Sequence, residues 1–184
     1  MPTYISMLRG INVSGQKQIR MPDLKALYEG LSFYNAITYI QSGNVIFDHV
    51  PGTPVRELSG KIEDAIINKF GFHVPVILRT VDEMKAIIKA NPYINDVEKF
   101  PEKHYITFLE ERPEMTVLEK INPYEFLPDK FIIIEREIYL NCAAGYGTTK
   151  LSNTFFENKL KVRATTRNWN TVNKLMELAI RSEF

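Results

Sequence analysis

The order in which apolar runs alternate with polar breaks constrains this chain more than any single motif. Tyr4 to Leu8 is a short apolar strand, followed by a long polar loop, INVSGQKQIR. From Met21 to Leu31, the residues Leu24, Leu27, Tyr28 and Leu31 fall at the i, i+3, i+4, i+7 spacing of one helix face. Ala36 to Gln41 and Asn44 to Asp48 read as strands joined at Ser42-Gly43. Thr53-Pro54 marks a helix start, with threonine as cap and proline in the first turn, and Gly71 marks its end. Val74 to Leu78 is the fourth strand, so the order is βαββαβ. A further helix opens on a capping box, Thr80 with Glu83, and ends at Asn91-Pro92.

The second half repeats that order. Tyr105 to Leu109 is a strand and Pro113 to Lys120 a short helix. Phe131 to Ile134 and Ile138 to Asn141 form a hairpin about Glu135-Arg136-Glu137. Lys150 to Leu160 is a helix, Val162 to Ala164 a brief strand and Asn170 to Arg181 a final helix. The repeat predicts an α+β protein of two duplicated ferredoxin-like βαββαβ units, with mainly antiparallel sheets and helices packed on them. The expected division is residues 1–90, a first subdomain with a trailing helix, and 91–184, a second with a C-terminal helix. Val45-Ile46-Phe47 and Phe131 to Ile134 are apolar without alternation, so both faces of those strands are expected to be covered.

The bulk numbers narrow the function classes. Of 184 residues, 45% are hydrophobic and 24% charged, with a formal net charge of +1, too balanced for a general nucleic-acid coat. Cys142 is alone, so no intramolecular disulfide can form. With no basic, apolar leader at the N-terminus, this places the expected location in the reducing cytoplasm. No run reaches the ~20 apolar residues of a membrane span, and no membrane partner is expected.

The topology gathers a candidate site. A helix crosses between the first two strands, so they run in the same direction, and the end of strand one shares a rim with the strand two–three turn. LRGINVSG and QSGN should therefore meet. That brings together Arg9, Asn12, Ser14, Gln41, Ser42 and Asn44: one planar donor fork with several carboxamides and hydroxyls. Such a set suits a small anionic or nucleotide-like ligand. The competing reading is that the amides satisfy loop main chain, Gly43 supplies a positive φ and Arg9 pairs with an acid. A second polar group, Lys150, Arg167 and Asn168, flanks the GYGTTK and TTRNWN stretches. GYGTTK is not a Walker loop, and a helix cap at Thr148 or Thr149 is its expected use. Trp169 should anchor the last helix, where capping accounts for one of Asn168 and Asn170.

Other chemistries find no support. His49, His73 and His104 are scattered, so no metal is expected, and no cofactor motif occurs. Cys142 reads as a buried, inert thiol. The βαββαβ order is shared with RNA-recognition modules, but Asn44 and Ile46 stand where their stacking aromatics belong. An enzyme using the rim pocket would need a titrating group that the sequence does not single out. A nucleic-acid or protein interaction module, including self-association, stays open as the third class.

The stretches LRGINVSG, TYIQSGNVIF, GYGTTKLSN and TTRNWNTVNKL resemble domain-of-unknown-function family 1697 over nearly the whole chain. At Ser14, Ala144, Thr148 and Thr149 the sequence departs from that pattern. The resemblance implies a cytoplasmic, mostly bacterial protein with a duplicated ferredoxin-like fold. It implies no activity, cofactor or catalytic residue.

Overall fold

Each half of the strand pattern becomes its own four-stranded antiparallel sheet. The structure is a computed structural model and describes residues 1–181. The first sheet contains β1 (Thr3–Leu8), β2 (Tyr34–Tyr39), β3 (Asn44–Asp48) and β4 (Val76–Thr80), in the order β2-β3-β1-β4. The second contains β5 (His104–Leu109), β6 (Lys130–Ile134), β7 (Glu137–Asn141) and β8 (Ala164–Asn168), in the order β6-β7-β5-β8. The two orders are the same, and every recorded pairing is antiparallel. The protein is thus α+β, with the strand order that a split βαβ unit requires.

Among the described residues seven α-helices accompany the sheets: α1 (Met21–Gly30), α2 (Val55–Phe70), α3 (Val81–Lys89), α4 (Ile94–Val97), α5 (Met115–Leu118), α6 (Asn153–Leu160) and α7 (Trp169–Arg181). None of these helices is long and apolar enough to cross a membrane. Two compact units divide the described residues: Met1–Ala86 with residues 175–181, and Ile87–Lys174.

In the first unit, α1 and α2 lie on one face of the sheet. Leu24, Leu27 and Tyr28 of α1 and Leu58, Ile62 and Ile66 of α2 join Tyr4, Leu8, Val45, Phe47 and Leu78 in one apolar core. The Tyr28 hydroxyl shares a hydrogen bond with Ser6 Oγ at 2.6 Å, fixing α1 over β1. Burial holds that phenol well above its ordinary pKa. Ile5, Met7, Ile46 and Ile77 point to the other face and are also buried, as an unbroken apolar run requires. The face on which RNA-recognition modules stack bases is therefore covered in this unit.

The same layering recurs in the second unit, where Phe156 and Leu160 of α6 pack with Leu109, Phe131, Ile138 and Leu140. Here β6 departs from expectation. Ile132 is 39% and Ile134 is 36% exposed, because β6 is an outermost strand and no further strand flanks it among the described residues. The last strand is β8 (Ala164–Asn168), two residues later than the apolar pattern places it, since buried Thr165 and Arg167 carry it rather than Val162.

Helix ends follow mixed rules. The box at α3 forms in full: Thr80 N–H donates to Glu83 Oε2 at 2.8 Å, and Glu83 N–H to Thr80 Oγ1 at 3.2 Å. Gly71 ends α2 in the left-handed region, φ +81, donating to Ile67 O at 2.9 Å. Thr53 does not cap α2. Pro54 holds the cap position without a side-chain bond, and Thr53 Oγ1 sits 3.3 Å from His49 Nε2 instead.

Gly43 tests the closest approach in the first unit. Its φ is +82, and an added Cβ would lie 2.6 Å from Ile11 Cδ1 and 2.9 Å from Leu8 Cβ. Gly43→Ala is expected to cost about 2 kcal/mol or more, combining the strain of a left-handed alanine with overpacking. Gly71→Ala, left-handed but in open space, should cost only about 1 kcal/mol. Urea denaturation of both variants measures the difference.

Candidate functional site

The expected meeting of LRGINVSG with QSGN occurs, and main chain makes it. Leu8 N–H donates to Gly43 O at 2.8 Å, and Gly43 N–H to Ile40 O at 3.3 Å. A third segment joins them at this rim. Arg9 N–H donates to Pro75 O at 2.9 Å, and Lys17 Nζ to His73 O at 2.7 Å. β4 runs antiparallel to β1, so its start must lie beside the end of β1. The topology alone was sufficient to include residues 73–75.

The long loop is held by one side chain. Asn12 Nδ2 donates to Ile19 O at 2.9 Å and to Gln41 O at 2.8 Å, while its Oδ1 accepts from Ile19 N–H at 2.9 Å. Asn12 N–H adds a bond to Lys17 O at 3.2 Å, closing residues 12–19 into a ring. Asn44 is equally committed: it is buried, and Nδ2 donates to Tyr39 O at 3.0 Å and Ser42 Oγ at 3.2 Å. The carboxamides of Asn12 and Asn44 and the Ser42 hydroxyl therefore build the rim and turn no free edge outward. The turn itself is strained, with Ile40, a β-branched residue, at φ +51.

Beside this junction lies an open groove of about 510 Å³, lined by Asn12, Gln18, Ile19, Arg20, Met21 and Gln41 among others. Arg9, half-buried, is not in its wall. Arg20 takes the cationic position instead. Its side chain is 82% exposed, and its Nε donates to Asp23 Oδ2 at 2.8 Å. It is also the cap position of α1, whose second residue is Pro22. The chain's three glutamines, Gln16, Gln18 and Gln41, all fall on these two segments and all are exposed. None of the three carboxamides has a hydrogen-bond partner among the described residues. Gln18 and Arg20 are groove residues that reading for glycine-bearing turns passed over; the signal was the position immediately before a Pro-started helix.

The second polar group does not form one pocket. Arg167 and Asn168 are consecutive on β8 and project to opposite faces. Arg167 is buried, its Nη1 donating to Thr165 Oγ1 and Thr166 O, both at 2.9 Å. Burial pulls its pKa down to about 10, so it stays charged at neutral pH. Asn168 caps α7, accepting from Thr171 N–H at 2.7 Å. Trp169 opens that helix and is 9% exposed. Lys150 is exposed and lines a separate groove of about 180 Å³ with Asp129 and Thr148. The cap of α6 is Ser152, accepting from Phe155 N–H at 3.1 Å, rather than Thr148 or Thr149. Thr149 Oγ1 instead donates to Asp129 Oδ2 at 2.6 Å and accepts from Leu151 N–H at 3.2 Å.

The histidines sit apart, on Thr53, Glu63 and Asp96 respectively. Among the described residues no group of three His, Cys, Asp or Glu side chains could hold a metal ion. Cys142 is fully buried. Burial, with Asp129 adding to it, pushes the thiol up to about 11.

A family model described as a protein of unknown function (DUF1697) matches residues 1–139. Among solved structures, the conserved bacterial protein SP0830 from Streptococcus pneumoniae is similar in fold, with a TM-score of 0.74 and 18% identity over 97% of this chain and 98% of that one. No curated protein matches the chain.

Two outcomes follow from these placements. Asn12→Ala removes three hydrogen bonds to main chain and should cost roughly 1–3 kcal/mol in denaturation, because the freed groups of Ile19 lie in a partly buried loop. Cys142, with its pKa pushed up to about 11, should resist iodoacetamide at pH 8 in the native protein and react promptly once unfolded.

Proposed function

The chain belongs to the DUF1697 family, whose function is unknown, so activity has to be argued from its own residues, and we propose that it binds a small anionic, nucleotide-like ligand in the rim groove of the first unit. The observation that carries this reading is the division of labour among the rim's polar groups. Asn12 and Asn44 spend their carboxamides on main chain, whereas Gln18 and Gln41 keep theirs uncommitted and line the same groove as Arg20. A carboxamide offers paired donor and acceptor, the pattern that matches a base edge, and a guanidinium offers a fork for phosphate or carboxylate oxygens. The first turn of α1 adds a favourable dipole end at the same wall. The strained Ile40 turn, which holds Gln41 at the groove, is further support, since strain of this kind persists where surrounding structure enforces it.

The ligand has to share Arg20 with Asp23, an exposed pair of little intrinsic strength. Binding through charge-assisted hydrogen bonds in an open groove should be modest and should weaken with added salt.

Native mass spectrometry of gently purified protein, followed by calorimetric titration with inorganic phosphate and ribonucleoside mono- and diphosphates, tests the reading. The nucleotides should bind more tightly than phosphate. Arg20→Ala should weaken them by about tenfold, the loss of one charge-assisted contact, with little change in melting temperature. Gln41→Ala should reduce the preference for nucleotide over phosphate. Absence of binding by any of these ligands, or binding unchanged in Arg20→Ala, would sink the proposal.

A further inference from the structure

β2 and β6, edge strands at equivalent places in the two sheets, are finished differently. In the first sheet β2 is irregular: its pairing with β3 shifts register between Tyr34 and Ile37, and Asn35 stands at φ +52. Such a bulge bends an edge away from further pairing. In the second sheet β6 has no interruption. Five consecutive residues, Lys130 to Ile134, pair with Asn141 to Glu137 without a shift, and the strand contains neither proline nor glycine. Its outer side carries no further strand among the described residues. Ile132 and Ile134 project from it, 39% and 36% exposed, and Leu127, 58% exposed, lies just before it. A regular, apolar, unprotected edge is a template for another strand.

We propose that the occupant is a second copy of this chain, which adds its own β6 antiparallel to this one about a two-fold axis at Ile132. Two features of the strand select its own copy. The first is face matching. Phe131 and Ile133 belong to the helix-covered core side, and Lys130, Ile132 and Ile134 to the other. A two-fold axis perpendicular to the sheet returns each face to itself. Ile132 then stands opposite Ile132 of the second copy, Phe131 opposite Ile133, and Lys130 opposite Ile134. The second feature is charge. Lys130 is exposed and has no ion-pair partner among the described residues. At the far end of the strand Glu135 is 62% exposed and shared with Arg112. Antiparallel pairing brings each unmatched Lys130 to the other copy's Glu135 turn. Cross-strand apolar pairs and opposite charges both favour this arrangement, and the contact is isologous, so it closes at two copies. A single strand pair with its flanks is small beside the interfaces of obligate dimers, so the dimer should be reversible.

Sedimentation velocity over a wide concentration range should show a single chain passing to two copies as concentration rises. Ile132→Lys places two lysines opposite each other on the axis and should weaken the dimer by at least about tenfold. The position is exposed, so circular dichroism and the melting temperature should match the parent. Ile132→Cys should form a disulfide between copies on mild oxidation, since only a two-fold at this residue puts position 132 against itself; Cys142, fully buried, does not compete. Amide exchange at residues 130–134 supplies a readout that needs no variant and should slow with concentration. A chain that stays single at every concentration would overturn the proposal. So would a dimer indifferent to Ile132→Lys, or one that does not crosslink through Cys at 132; either would put the contact elsewhere.

Discussion

The close contact of Gly43 with Leu8 and Ile11 is the constraint on which the first unit's rim depends. A helix must cross between β1 and β2, and β3 must return between them. That forces the β2–β3 turn onto the end of β1, where main chain pairs directly, Leu8 N–H to Gly43 O at 2.8 Å. No side chain fits at residue 43, because Leu8 Cβ and Ile11 already fill the space. Once the turn is seated, Gln41 O becomes available to Asn12, and Asn12 in turn closes the loop over residues 12–19. The groove is a consequence: it is what remains between a loop tied at its base and the first turn of α1.

The two units solve the same problem at equivalent positions with different residues. On the edge strand beside β1, Arg79 stands opposite Ile5; on the edge strand beside β5, Arg167 stands opposite Ile106. Both arginines are buried, 1% and 7% exposed, and each precedes a capped helix start. The cap is the Thr80–Glu83 box in one unit and Asn168 alone in the other. Ser6 and Thr107 also correspond. The first bonds Tyr28 of α1, whereas the second bonds the Thr166 hydroxyl at 2.7 Å, itself bonded to Asn153 at the start of α6. A small hydroxyl at this point of the central strand links sheet to helix in both cases.

These correspondences explain what could be read from residues and what could not. Strand order was legible because β1, β3, β5 and β7 are buried on both faces and therefore appear as apolar runs, interrupted in β1 and β5 only by one small hydroxyl each, Ser6 and Thr107. The capping box at α3 was legible because its chemistry is local. β2 was displaced because its register slips at Asn35, and β8 because β-branched threonines and a buried arginine replace the apolar residues that the pattern seeks. The apolar run of β6 was read as covered on both sides; periodicity reports what a strand is made of, not whether it lies at the edge of its sheet. At the rim, topology identified the right segments, but not which side chains would be consumed.

That last distinction has a simple physical origin in side-chain length. Asparagine's carboxamide sits one carbon from Cα, close enough to reach main chain two to seven residues away, as Asn12, Asn44, Asn122 and Asn168 all do here. Glutamine carries one more methylene, loses more rotamer freedom on being fixed and competes poorly for such local bonds. In a loop that needs many main-chain groups satisfied, asparagines are absorbed first and glutamines are left at the surface. The arginines divide by position instead of length: Arg167, on β8, is drawn into the sheet, whereas Arg20, at the start of α1 beside Asp23, remains 82% exposed. The polar groups that this rim turns outward are therefore the long side chains of Gln18, Arg20 and Gln41, and the short ones determine where those three are held.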